Sequence, residues 1–139
     1  MFTFFSLSTS AEDLEKKFGA VIPPAWSPSP AFKQETDIVV LLGPKGQRTA
    51  EMMKWGFLPE SGSLNPIFCA KAETLYEKPT FSTAVQSRRC AIIAGAIHFS
   101  ENPKRVSGAA GLVSIGPAQE YPFGLAGIWN ERRGASGHP

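Results

Sequence analysis

Cys90-Ala91-Ile92-Ile93-Ala94-Gly95-Ala96-Ile97-His98-Phe99 is an apolar run preceded by the basic pair Arg88-Arg89. Its mixture of β-branched and small residues reads as a buried strand, the small ones marking where another backbone comes close. Other strands surround it in sequence. Asp37 to Leu42 is rich in β-branched residues, Gly43-Pro44-Lys45-Gly46 makes a turn, and Arg48 to Phe57 returns as its hairpin partner. Asn65-Pro66 opens a further strand through Lys71, and residues 111–116 and 123–129 supply two more. Helices are few. Thr9 and Glu12 have capping-box spacing, Leu14 and Phe18 share a face and Gly19 follows as a stop, which predicts a helix over residues 10–18. Pro79 suits a first helical turn, and Phe81, Ala84 and Val85 on one side extend that helix towards the arginine pair. Many short strands with two small helices give an α+β fold built on a curved, barrel-like, mainly antiparallel sheet.

The totals bound the rest. At 139 residues the chain fits one domain, which can bury roughly two thirds of its unfolded surface. That domain is expected over residues 1–133, with 134–139 as a disordered Gly-Ser tail. Residues 22–31 hold four prolines, which forbids helix and predicts an ordered extended loop. Apolar residues make up 42% and charged residues 19%, and no apolar run approaches the ~20 residues of a membrane helix. The opening residues carry no basic stretch and run into Glu12, Asp13 and Glu15, which predicts a cytoplasmic protein rather than a secreted one. Cys69 and Cys90 lack metal-ligand spacing and paired histidines, so no metal, cofactor or disulfide is expected. The net charge of +2 is too small to announce a nucleic-acid protein by bulk electrostatics. The pairs Lys16-Lys17, Arg88-Arg89, Lys104-Arg105 and Arg132-Arg133, each taken alone, read as solvated surface.

Several segments together resemble the SOS response-associated peptidase (SRAP) family. Phe5-Ser6-Leu7-Ser8 before Leu14-Glu15-Lys16-Lys17-Phe18-Gly19 is similar to its opening, and Pro28 and Pro30 fall in its proline loop. Trp55-Gly56-Phe57-Leu58-Pro59 resembles its Trp-Gly-Leu-Ile-Pro strand, and Ala70-Lys71-Ala72-Glu73-Thr74 its Asn-Ala-Arg-Ala-Glu-Thr. Lys78-Pro79-Thr80-Phe81, Arg88-Arg89-Cys90 and the segment from Phe123 to Trp129 continue the series in order. The resemblance implies single-stranded DNA as partner and a reaction that traps abasic sites.

The departures fall where that chemistry belongs. The family begins Met-Cys-Gly-Arg, and its exposed N-terminal cysteine condenses amine and thiol with the aldehyde of an opened abasic sugar; here Phe2, Thr3 and Phe4 stand instead. Phenylalanine offers no nucleophile. The family's acid/base glutamate aligns with Phe99, which cannot carry a proton. His98 is its neighbour, but adjacent strand residues point to opposite faces, so it reads as a surface or satisfied core histidine. The family's catalytic histidine follows the Gly-Leu-Trp strand, where this sequence holds only His138 in the tail. An internal Cys69, standing at the family's asparagine, lacks the free amine of an aminothiol; it reads as a small buried hydrophobe against a minor alternative as nucleophile. Phe2-Thr3-Phe4-Phe5 is expected to plug the emptied site, each buried ring contributing roughly 1.5–3 kcal/mol.

For DNA the candidates are Trp55, Lys71, Phe81, Arg88 and Arg89. Trp55 is either a stacking platform, worth roughly 1–3 kcal/mol per base, or core. Lys71 replaces an arginine and can neutralise phosphate only as a point charge. Phe81 aligns with an aromatic by the strand-separating edge, though core packing is the more frequent fate of such a residue. Arg88 and Arg89 alternate, so at most one faces a given groove. The reading is a catalytically impaired relative with weak single-stranded DNA binding in the DNA damage response, its status as an enzyme left open. The alternatives are an active abasic-site or peptidase member using Cys69 and His98, and a scaffold module without a nucleic-acid role.

Overall fold

In the computed structural model, which describes residues 2–44, 46–59, 62–100, 112–116 and 122–131, the apolar run after Arg88 folds as two strands rather than one. Arg89–Ala94 belongs to one sheet and Ala96–Ser100 to another, with buried Gly95 at the bend between them. The Gly95 N–H donates to the carbonyl of Ser6 at 2.7 Å, which ties the first strand to this corner. Nothing in the apolar pattern distinguishes the corner from a straight strand, because Ala94-Gly95-Ala96 suits a bend and a close backbone approach equally well.

Numbered along the chain, the elements are β1 (Phe2–Leu7), α1 (Ala11–Phe18), β2 (Ser29–Lys33), β3 (Asp37–Leu42) and β4 (Thr49–Lys54). A 3-10 turn (Ala72–Thr74), α2 (Pro79–Ser87), β5 (Arg89–Ala94), β6 (Ala96–Ser100), β7 (Leu112–Ile115) and β8 (Phe123–Ile128) follow. The described strands form two four-stranded sheets, ordered β2-β1-β6-β7 and β4-β3-β5-β8, and every neighbouring pair is antiparallel. The α+β class is as expected, but the strands divide between two sheets that do not close into a barrel. The charge pairs at 104–105 and 132–133, the start of the strand expected at 111, and the expected tail with His138 lie outside the described residues.

Local chemistry explains most element boundaries. Helix α1 is capped by Ser10 rather than Thr9: the Ser10 hydroxyl accepts the Asp13 N–H at 3.2 Å, and Gly19 ends the helix at φ 70°. Pro79 opens α2, whose inner face is Phe81, Ala84 and Val85. The proline loop ends earlier than expected, because residues 29–33 pair with β1 as the outer strand of their sheet, where Pro30 needs no N–H to donate. No strand forms over residues 65–71. A single bridge joins Phe57 and Ile67; the next hydrogen-bonded pair on one side would need an N–H that Pro59 lacks, and on the other the Trp55 N–H already donates to Thr36.

Side chains from both sheets share one core. Phe5 and Leu7 of β1 meet Leu14 of α1, Phe32 of β2, Ile38 to Leu41 of β3, and Ile93 and Ala94 of β5. Strand β3 lies between β4 and β5 and is buried along four consecutive residues, so both of its faces are covered. Ile93 is fully buried beside the corner, and Ile93→Ala should destabilise the domain by roughly 2–5 kcal/mol in urea unfolding. A loss below about 1 kcal/mol would mean that the cavity collapses and the two sheets do not depend on this packing.

Candidate functional site

Strand β1 runs against β6 with Phe2 opposite Phe99, Phe4 opposite His98, Phe5 opposite Ile97 and Ser6 opposite Ala96. The register shifts by one residue between Phe2 and Phe4. The two positions that resemble the family's cysteine and glutamate are therefore direct partners across two strands. Both are phenylalanine, and Phe99 is half-buried. The expectation that the Phe2 ring fills the site falls on a side chain outside the described part of the structure. Phe4 stacks on the His98 imidazole, with ring centroids 4.5 Å apart and planes 22° from parallel.

His98 is satisfied at both ring nitrogens. Nδ1 lies 2.7 Å from the Ser114 hydroxyl on β7 and Nε2 lies 2.9 Å from the Ser6 hydroxyl on β1. This agrees with a structural histidine. Neither serine stood out in the sequence, because the contacts depend on the β1–β6–β7 register, which no local pattern reveals.

The aromatic DNA candidates are core residues. Trp55 is 7% exposed, donates its indole N–H to the Phe68 carbonyl at 3.0 Å, and packs between Phe5 at 5.8 Å and Phe68 at 6.1 Å. A base has no open face of this ring on which to stack. Phe81 is 6% exposed and lies 5.6 Å from the Phe57 ring, which rules out the same role in this conformation. The sequence could not show this, since the neighbours that cover both rings come from distant segments.

The cations diverge. Lys71 is exposed just before the 3-10 turn. Arg88 is half-buried and donates Nε–H to the Trp129 carbonyl at 3.1 Å, while exposed Arg89 donates to the Val85 carbonyl and, at 3.3 Å, to the Tyr76 hydroxyl. Their different directions follow the alternation expected of a strand start. Arg48, which the sequence left unremarked, reaches the last carbonyl of α1 at Phe18 over 3.1 Å.

Both cysteines are free thiols. Cys69 is exposed rather than buried as its sequence context suggested, because no strand forms around it. Desolvation by its surroundings still pushes the Cys69 thiol up. Burial raises the Cys90 thiol to about 11. Neither is a ready thiolate near neutral pH. Among the described residues no group of three or more His, Cys, Asp or Glu side chains gathers as a metal site, and no helix is long and apolar enough to cross a membrane.

The family model for SOS response-associated peptidase (SRAP) matches residues 1–139. The chain belongs to the SRAP family. Three solved structures share its fold. A protein from Bordetella bronchiseptica aligns at TM-score 0.74 with 22% identity, covering 99% of this SRAP chain and 67% of its own. A phage-related protein from the same organism aligns at 0.70 with 20% identity, covering 96% and 62%. A protein from Bacteroides thetaiotaomicron aligns at 0.68 with 18% identity, covering 91% and 59%. The chain thus spans about three fifths to two thirds of the length of these structures. No curated protein matches it. The thiols provide a check on the site as built: iodoacetamide at pH 8 should alkylate exposed Cys69 first, with Cys90 reacting only as pH rises towards its value of about 11. Peptide mass spectrometry reads the order, and equal rates at pH 8 would contradict the packing around Cys90.

Proposed function

We propose that this SRAP protein keeps the family fold without the abasic-site chemistry, and binds single-stranded DNA weakly through exposed phosphate contacts that include Lys71. The observation that supports it most is the pairing of Phe2 with Phe99. Where the resemblance puts an aminothiol and an acid/base carboxyl side by side, this chain has two hydrocarbon rings, and a ring can neither attack an aldehyde nor move a proton. Rearranged residues do not supply the deficit. Cys69 is an internal thiol whose ionisation is disfavoured, and both nitrogens of His98 face serine hydroxyls.

The burial of Trp55 and Phe81 favours a second reading, a scaffold module with no nucleic-acid role, since it removes both aromatic platforms and leaves affinity to cations alone. Fluorescence anisotropy with a single-stranded oligonucleotide at two salt concentrations separates the two. DNA binding predicts affinity that falls with salt, and Lys71→Ala should reduce the log–log salt slope by about 0.7, the share of one phosphate contact. Absent or salt-insensitive binding leaves the scaffold reading. Incubation with abasic single-stranded DNA should give no shifted band on a denaturing gel, with or without borohydride, and a band would overturn the proposed loss of chemistry.

A further inference from the structure

Between the end of α1 and the β3–β5 pair lies an open cleft of about 280 Å³, with Arg48 and Arg89 on its wall. We infer that this cleft binds a phosphoryl group, held by the two guanidinium groups. Its floor is Phe18, Leu41 and Ala91, and no acidic residue lines it.

A purely structural role for the arginines accounts for part of this arrangement. Arg48 donates to the last carbonyl of α1 and Arg89 to a carbonyl in the last turn of α2, so each complements the negative end of a helix. Such an end carries only about half an elementary charge. Two whole positive charges therefore face about two halves, and a net positive field remains over the cleft. No carboxylate within salt-bridge distance neutralises Arg48 or Arg89 among the described residues; the pair that does form, Glu12 with Lys16 at 3.2 Å, lies on the exposed face of α1. Among the described residues the partners of the two arginines are neutral, and of the five N–H donors of a guanidinium Arg48 uses one and Arg89 two there. Donors for a bidentate grip on a tetrahedral oxyanion are left over.

The volume selects the ligand. It lies at the lower end of the ~300–1,000 Å³ typical of small-molecule sites, which admits a phosphate and part of an attached apolar or ring-bearing group. A mononucleotide or the terminal phosphate of a DNA strand presents that chemistry. The cleft belongs to the β4-β3-β5-β8 sheet, whereas Phe2 and Phe99 belong to the other, so the inference stands apart from the fate of the abasic-site chemistry.

Isothermal titration at low salt with inorganic pyrophosphate tests it directly. Saturable binding is expected, weakened at least about tenfold in Arg48→Gln and in Arg89→Gln, less in Arg89→Lys, and unchanged in Lys54→Ala at the exposed far end of β4. Should Arg48→Gln not fold once the Phe18 carbonyl loses its donor, the Arg89 variants decide alone. Tighter binding of dAMP than of pyrophosphate assigns the site to a small molecule, and tighter binding of a 5′-phosphorylated than of a 5′-hydroxyl oligonucleotide assigns it to a strand end. No saturable binding of any of these probes, or binding that Arg89→Gln leaves intact, overturns the inference.

Discussion

The hydrogen bond from the Gly95 N–H to the Ser6 carbonyl, 2.7 Å long, holds the place where the chain leaves one sheet and enters the other. Strand β5 ends on one side of it and β6 begins on the other, while β1 runs past and pairs with β6. The buried rows of both sheets can share one core only if this corner keeps its position. Phe5 and Leu7 before it, and Ile93 and Ala94 beside it, are all within that core. The same corner sets the register that puts Phe4 opposite His98, and a one-residue shift further along brings Phe2 opposite Phe99. Fold and site geometry therefore share one constraint.

The apolar character of the site follows from that register. In a strand pair, directly opposed side chains lie within about 4.5–5.5 Å at Cβ, close enough that two reactive groups cooperate or two rings pack. A sequence can change from one to the other at two positions without disturbing the ladder, because backbone hydrogen bonds do not depend on the side chain. At the next pair Phe4 stacks on His98, whose imidazole two serine hydroxyls hold in place.

What was legible in the sequence was the chemistry of local boundaries. The β3–β4 hairpin was written in the β-branched run of β3 and the turn at Gly43-Pro44, α1 in its capping hydroxyl and Gly19, and α2 in Pro79. Even the misplaced cap, Thr9 for Ser10, was an error of one residue between two hydroxyls. The misses were tertiary. Ala94-Gly95-Ala96 carries no mark of a corner, residues 29–33 became a strand only because β1 offered an edge, and residues 65–71 lost theirs because Pro59 and the occupied Trp55 backbone allowed one bridge. The same holds for the site. Phe2 and Phe99 were singled out by resemblance and their pairing came only with the fold, the burial of Trp55 depended on Phe5 and Phe68, and Arg48 entered only once α1 stood beside it.

The central proposal is that the scaffold persists and that the missing chemistry lies in the paired positions Phe2 and Phe99. Restoring both groups tests this most directly. Phe2→Cys combined with Phe99→Glu, expressed with Met1 as its first residue, exposes an N-terminal cysteine once the methionine is removed, since cysteine is small enough for that processing. Mass spectrometry after incubation with abasic single-stranded DNA should then find a covalent adduct in the double variant and none in the wild type. An adduct on the wild-type protein, or none on a folded and processed double variant, would contradict the account.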